Sequence, residues 1–349
     1  MVNALLNLAR INLSMASLMT ATTVVLMLAI LTLSGMVQAA DAACDGVQVS
    51  PGEDLAQVAS AHPDGTTFCI QDGSYEVTSR VVAEDGDSFV GVYSDSTRPS
   101  ISTTTADQII YTTAADNVLV RALDISGAVH NNACEPNCGR GIGGSGNNLL
   151  IEDVRSHHNE NQGVGGTGPG LLIRNSELDN NGNAESANDG GKVSAAGLKS
   201  TNSFTIEGSY IHDNYWNGVW CDSQCDDVEI SDSSFTRNGK SAFSYEITDG
   251  TDTSHFTNNI VTNNGGLATA NKHTGVLIES SRDLVINANS FSGHRQLFNG
   301  NGITVQDGSR PPSNGSLVIS NNDLGGDRIK LCKGGCGTTL SDDNTNVGQ

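Results

Sequence analysis

The sequence predicts an all-β solenoid, a parallel β-helix of stacked coils, and three observations carry that expectation. A nine-residue apolar pattern recurs along the chain, its copies starting 22 to 33 residues apart. A second, Gly-led strand recurs between those copies. Composition suits repeated tight turns: of 349 residues 40 are Gly and only 7 are Pro, and aromatics make up 5%, a mix poor in helix formers. Hydrophobic residues at 37% are too many for a disordered chain and few for one compact core. Periodic burial along a solenoid reconciles the two.

The first 40 residues differ from all that follow. Arg10 is the only charged residue before Asp41, Ala21 to Val37 is an apolar run, and Val37-Gln38-Ala39-Ala40 is the small-residue pattern of a cleavage site. The segment reads as a signal peptide, with an uncleaved N-terminal anchor as the alternative. The chain is therefore expected to be secreted or extracytoplasmic. No later segment is apolar for long enough to cross a membrane as a helix.

Eight cysteines in an exported chain suggest oxidised pairs. Six fall into local pairs, Cys134 with Cys138, Cys221 with Cys225 and Cys332 with Cys336, leaving Cys44 and Cys69 to close the N-terminal segment. Metal binding is the alternative for such spacing, but no His lies beside these pairs at zinc-finger distance. The formal net charge of −21, with only 18 Lys and Arg, disfavours nucleic acid and anionic membranes as partners. An anionic substrate would need a local cation.

The nine-residue pattern places an apolar residue, four mostly polar ones, a second apolar residue, two polar residues and usually Asn. It reads IEGSYIHDN from Ile206, IRNSELDNN from Ile173, ISDSSFTRN from Ile230 and FTNNIVTNN from Phe256. Looser copies start at Val120, Ile151, Ile286 and Ile319. A coil of a parallel β-helix needs about 22 residues or more, and the excess goes into loops. The Gly-led strand appears from Gly163, Gly197, Gly218, Gly275 and Gly302, with Ala242 replacing Gly in one copy. Alternation puts the residue after Gly inside and the next one outside.

These repeats resemble those of the right-handed parallel β-helix proteins of the pectate-lyase-like superfamily, over about Cys69 to Leu331. The opening from Val49 is similar to the start of many exported members, in which a short amphipathic helix, here Asp54 to Ala61, caps the core. The resemblance implies a single-stranded right-handed parallel β-helix over residues 75–331, an N-terminal cap segment over 41–74 and a C-terminal tail over 332–349. It also implies action on polysaccharide, by a protein expected to be monomeric.

Stacking turns the repeats into columns whose members lie about 4.8 Å apart. The first outward position of the Gly-led strand carries Gly165, Lys199, Trp220, Ser244, Leu277 and Thr304, and the second carries Asp222, Glu246, Glu279 and Gln306. Asp222, Glu246 and Glu279 should therefore form a run of carboxylates, with Lys199 and Trp220 beside its upper end. Stacked like charges raise one another's pKa unless a cation intervenes.

Four readings of this face follow. Asp222 and Glu246 could hold Ca²⁺ and a uronate carboxylate while Lys199 abstracts the neighbouring proton, which is β-elimination and what the resemblance implies. Carboxylates about 5 Å apart also suit a retaining glycosidase. The face could instead belong to a non-catalytic glycan-binding or cell-surface protein, with Trp220, Tyr215 and Trp216 stacking on sugar rings. Finally, the acids could simply be solvated, with Asp222 pairing to Lys199 across a rung. Glu279 is counted with the substrate-binding set. His212 is the expected general acid or base; the Asp-Pro-His-Asp motif of mannuronan epimerases is missing around it, which speaks against epimerisation. The recurring Asn at 159, 181, 214, 238 and 264 is read as a stacked amide ladder in a turn. Residues 182–196, polar and Gly-rich, could wall a groove beside Lys199.

Overall fold

The computed structural model describes residues 44–348 except 95, 131–137, 185–195, 267–273, 295–299, 309–310, 312–313 and 334. Three parallel sheets, of twelve, nine and ten strands, run the length of this part. Nine successive coils, from Thr67–Gln71 to Asn301–Gln306, each give one strand to each sheet in turn, and the coils at either end are incomplete. Thus Phe204–Glu207 enters the twelve-stranded sheet, Tyr210–His212 the nine-stranded and Asn217–Asp222 the ten-stranded.

The apolar positions of the nine-residue pattern form two inner columns. Val120, Ile151, Ile173, Ile206, Ile230, Phe256, Ile286 and Ile319 stand in register on successive rungs, and all are fully buried. The second column runs through Leu178, Ile211, Phe235, Val261 and Phe291. Its weak member, Ser156, is also fully buried and donates to the carbonyl of Gly163 at 2.9 Å, which removes the cost of an unpaired hydroxyl. Val164, Leu198, Val219, Phe243, Val276 and Ile303 make the third column, from the Gly-led strands. Burying each such side chain contributes about 1.5–3 kcal/mol.

At the N-terminal end a helix spans Leu55–Ser60, inside the expected Asp54 to Ala61. Asp54 caps it by accepting from the amides of Ala56 and Gln57, and Leu55 and Ala59 join the core. The twelve-stranded sheet reaches past 75–331 at both ends. Val47–Val49 pairs with Thr67–Gln71, and Thr338–Leu340 pairs with Gly315–Ser320. Among the described residues three disulfides are formed, Cys44–Cys69, Cys221–Cys225 and Cys332–Cys336, with Cα atoms 5.7, 5.8 and 5.9 Å apart. Cys134 lies outside the described residues, and with it the expected Cys134–Cys138 pair. So does most of the 182–196 segment.

The corners differ in length. Between the twelve- and nine-stranded sheets two residues connect the strands in seven coils, from Arg121 to Asp124 through Asn287 to Ser290. The connections on either side of the ten-stranded sheet vary widely. Asp179 to Ala196 and Thr262 to Thr274 are long, His212 to Asn217 and Thr236 to Ser241 short, and Gln306 to Gly315 intermediate.

The expected ladder is present. Nδ2 of Asn159, Asn181, Asn214 and Asn238 each donates to Oδ1 of the next Asn along, ending at Asn264, at 2.9–3.1 Å. One detail of the expectation is corrected. The left-handed residue of this turn is the one before the Asn: His158, Asn180, Asp213, Arg237 and Asn263 have φ between 51° and 55°. The ladder Asn is selected for its amide instead. A second ladder was not foreseen. At the two-residue corner, backbone amides of successive coils donate to Ser176, Ser209, Ser233, Asn259, Asn289, Asn322 and Asn344.

Asn214→Ala would orphan the amide donors of Asn181 and the carbonyl of Leu178, all buried. Each orphaned group costs about 1–3 kcal/mol. Urea denaturation should show a loss of that order, with the fold's far-UV signature retained below the midpoint.

Candidate functional site

The site sheet can be followed through β1 (Ala196–Ser200), β2 (Asn217–Asp222), β3 (Ser241–Glu246), β4 (Thr274–Glu279) and β5 (Asn301–Gln306). Lys199 pairs with Trp220, Trp220 with Ser244, and Ser244 with Leu277. Asp222, Glu246, Glu279 and Gln306 follow one another in the next outward column. Lys199, Trp220, Asp222, Glu246 and Glu279 thus share one face. Leu277, although in the outward column, is fully buried.

The carboxylate column is compensated rung by rung. Lys199 Nζ lies 2.9 Å from Asp222 Oδ2. Lys240 Nζ lies 3.2 Å from Glu246 Oε1, which also accepts from Ser244 Oγ at 2.6 Å. Gln306 Nε2 donates to Glu279 Oε2 at 2.7 Å. Lys240 and Glu246 are both buried, at 8% and 6% exposure. A pair taken that far from water is maintained only when both partners are present, and removing one costs about 3–5 kcal/mol.

Trp220 sits between the two lysines. Its ring centroid is 4.3 Å from Lys199 Nζ and 5.0 Å from Lys240 Nζ. These are cation–π distances, so the indole is already engaged by protein, and the expected open stacking platform is reduced to the ring's remaining exposed part. Trp216 lies 5.7 Å from Lys240 Nζ, and its carbonyl accepts from the Lys240 amide. Tyr215, half-buried in the same corner, is held by its amide donating to Asn181.

Lys240 is the residue that sequence reasoning missed. It stands two residues after its ladder Asn, the position Trp216 holds one coil earlier. It lies in the corner before Ser241–Glu246, where strand alternation does not say which way a side chain points. Ser244 and Gln306 were placed in the columns but given no role.

His212 does not belong to this face. It lies on the nine-stranded sheet, in register with Asp179 and Thr236. Nε2 contacts Glu177 Oε1 at 2.8 Å and Nδ1 contacts Asp213 Oδ2 at 2.6 Å. Both ring nitrogens are occupied, and no hydrogen bond or ion pair among the described residues links His212 to Lys199. The general acid or base expected of it is therefore not positioned for the ten-stranded sheet.

Around His212 lies a separate network. Arg155 forks onto Asp179 at 2.9 and 2.8 Å, and Arg237 onto Asp213 at 2.7 and 2.6 Å. Tyr210 stacks on the imidazole at 3.9 Å. Donor atoms of Glu177, Asp179 and His212 come within 4.8 Å of one another, as a metal site would require, but the Arg155 guanidinium already spans the two carboxylates. Asp307, Cys332 and Cys336 also converge, with both sulfurs in the disulfide.

Asp213 is held below the usual carboxylate range by hydrogen bonding from Arg237, against burial, and helped by His212. Burial alone would raise Asp179, but hydrogen bonds from Arg155 and Asn180 outweigh it and pull it down.

For Ca²⁺, Asp222 and Glu246 are the residues to test, and the donor set does not fit. Each carboxylate is already held by an ammonium group, and the nearest third carboxylate, Glu279, is held by Gln306. Ca²⁺ takes six to eight oxygens from a flexible, open arrangement, and Glu246 is neither open nor free.

Three stacked sheets, columns of identical register and an aliphatic core define a right-handed parallel β-helix. The chain belongs to the family described as the right handed beta helix region, which matches residues 108–271 and 191–324 and so more than half of the chain. Among solved structures it is similar to the Dettilon tailspike protein (TM-score 0.57, 14% identity, 86% of this chain and 67% of that one). It is also similar to the pectate lyase Pel9A (0.53, 14%, 87% and 80%) and to an alginate lyase from Paenibacillus (0.54, 12%, 87% and 99%). At such identities the likeness is one of fold. No curated protein matches the chain in sequence. No helix among the described residues is long and apolar enough to cross a membrane.

Both depressed carboxylates, Asp179 and Asp213, stabilise the fold above the ordinary value of about 3.9 and lose that contribution as pH falls through their lower folded values. The melting midpoint should therefore drop on acidification below about pH 4. In Asp213→Asn the midpoint at neutral pH should be lower and its fall with acid shallower, read by thermal scans across pH.

Proposed function

We propose that the outer face of the ten-stranded sheet around Lys199 engages polysaccharide outside the cytoplasm and cleaves a uronic-acid-containing glycan by β-elimination. The observation that carries this reading is the Lys199–Asp222 pair seated on Trp220. Of the two lysines paired to the carboxylate column it is the more exposed, with side-chain exposures of 15% and 21% for Lys199 and Asp222. Support comes from the fold, which the chain shares with a pectate lyase and an alginate lyase. Further support comes from the corners, since both connections that border this sheet vary in length from coil to coil. Loops of variable length beside a rigid strand array are where binding specificity is commonly placed.

In this reading the Lys199 ammonium first releases a proton to solvent. The amine then takes the proton α to a uronate carboxyl, the freed electron pair forms the α,β double bond, and the glycosidic C–O bond breaks at the β carbon. The departing oxygen takes that proton from the Lys199 ammonium, which restores the amine, while Asp222 orients Nζ. The apolar N-terminal run and the disulfides support an exported chain.

A second reading has its own observation. Lys199 is already committed to Asp222 and to the Trp220 ring, which suits a non-catalytic glycan-binding surface as well as a base. A glycosidase is the weaker third reading, because Glu246 is enclosed by Lys240 and Ser244 and presents little carboxylate to a sugar.

Incubation with pectate, alginate and chondroitin, followed by ultraviolet absorbance of the unsaturated uronate, separates these readings. A lyase gives rising absorbance that Lys199→Ala abolishes, about 10²-fold or more for loss of a proton-transfer group. A binding protein gives none, and Lys199→Ala merely weakens retention on the immobilised glycan. Absence of both product and retention with all three glycans would sink the proposal.

A further inference from the structure

We infer that Lys199 and Lys240 occupy, as side chains, the place that a divalent cation would take beside stacked carboxylates, so that this face is built to work without metal. The inference deepens the reading above and rests on the same face, but its test needs no glycan.

Stacked carboxylates in successive rungs repel, and the fold places them one rung apart with no freedom to separate. Something positive must lie beside them. A bound ion is one solution and a lysine the other. Here the first carboxylate, Asp222, has Lys199 at 2.9 Å, and the second, Glu246, has Lys240 at 3.2 Å. The third, Glu279, takes a neutral donor, Gln306. The lysines come from different places: Lys199 from the rung before Asp222, and Lys240 from the corner entering the strand that carries Glu246. Two independent origins converging on consecutive rungs are hard to assign to a solvated surface, where long flexible cations normally point to water.

Lys240 is the more informative of the two. Its ammonium is buried, and it is met by one carboxylate and two indoles, Trp220 at 5.0 Å and Trp216 at 5.7 Å. Its amide is bonded to the carbonyl of Trp216 and its carbonyl accepts from the amide of Thr274. The side chain is thus fixed from the backbone outward. It is a positioning residue: it holds the charge of Glu246 and sets the indole that separates it from Lys199. Among the described residues, removing it leaves Glu246, between Asp222 and Glu279, with the Ser244 hydroxyl as its remaining side-chain partner, a carboxylate that can then offer its oxygens to Ca²⁺.

The experiment is thermal unfolding of the full chain in excess Ca²⁺ and in EDTA, for the wild type, Lys240→Gln and the double variant Lys240→Gln/Glu246→Gln. The wild-type midpoint is expected to be the same in both conditions. Lys240→Gln should melt several degrees lower in EDTA and regain part of the difference in Ca²⁺, and the double variant should lose that response. If Lys240→Gln fails to fold, Lys199→Gln carries the same test beside Asp222, where the pair is more exposed. A wild-type midpoint that rises with Ca²⁺ and ceases to do so in Glu246→Gln overturns the inference, as does a folded lysine variant with no Ca²⁺ response. A protein that cleaves none of the glycans but shows this pattern would fail the proposed function and leave the inference standing.

Discussion

Parallel pairing between successive coils is the constraint on which everything else in this molecule depends. It fixes each side chain directly over its counterpart in the coil before, so that no outward group has only its own chemistry to satisfy. Apolar residues gain from this, because the inner columns pack Ile on Ile and Phe on Phe along a continuous core. Amides gain as well, since each ladder Asn finds a donor on one side and an acceptor on the other. Charges lose unless the signs alternate or a cation intervenes. The outer surface of the helix is therefore a record of how each column of charge has been balanced.

Two faces balance it differently. On the nine-stranded sheet arginines fork onto aspartates with His212 held between two acids, a closed network in which every strong donor meets an acceptor. On the ten-stranded sheet lysines do the same task with a single contact each and a tryptophan between them. A guanidinium fork is rigid and directional, whereas an ammonium on an aromatic face can exchange partners.

Much of this was legible in the sequence because a β-helix writes its register in apolar spacing. The inner columns, the outward columns and the Asn ladder could be read from recurrence alone, and Ser156 stood out as a weak copy because its compensation is a hydrogen bond to a residue seven positions on. What was not legible lay at corners. Strand periodicity says which face a residue points to, but it is silent about a turn residue such as Lys240, whose direction is set by the backbone after the ladder. His212 was misplaced for the same reason. It is close in sequence to Trp220 and Asp222, yet one left-handed residue, Asp213, turns the chain onto another sheet between them. The second ladder escaped because Ser fills the position in its first three coils and Asn in the next four, so no single letter runs its length.

The unequal corners carry a consequence for how such a protein can change. The corner keeps two residues in every coil that carries the amide ladder, whereas the coil from Val92 to Ser100, before the ladder begins, takes a longer connection. Both borders of the ten-stranded sheet already tolerate connections of very different length. Conserved register and variable length thus lie in separable stretches of one chain, and a lineage could exchange the connections beside the ten-stranded sheet many times over while the rungs that hold Lys199 beside Asp222 stay in step.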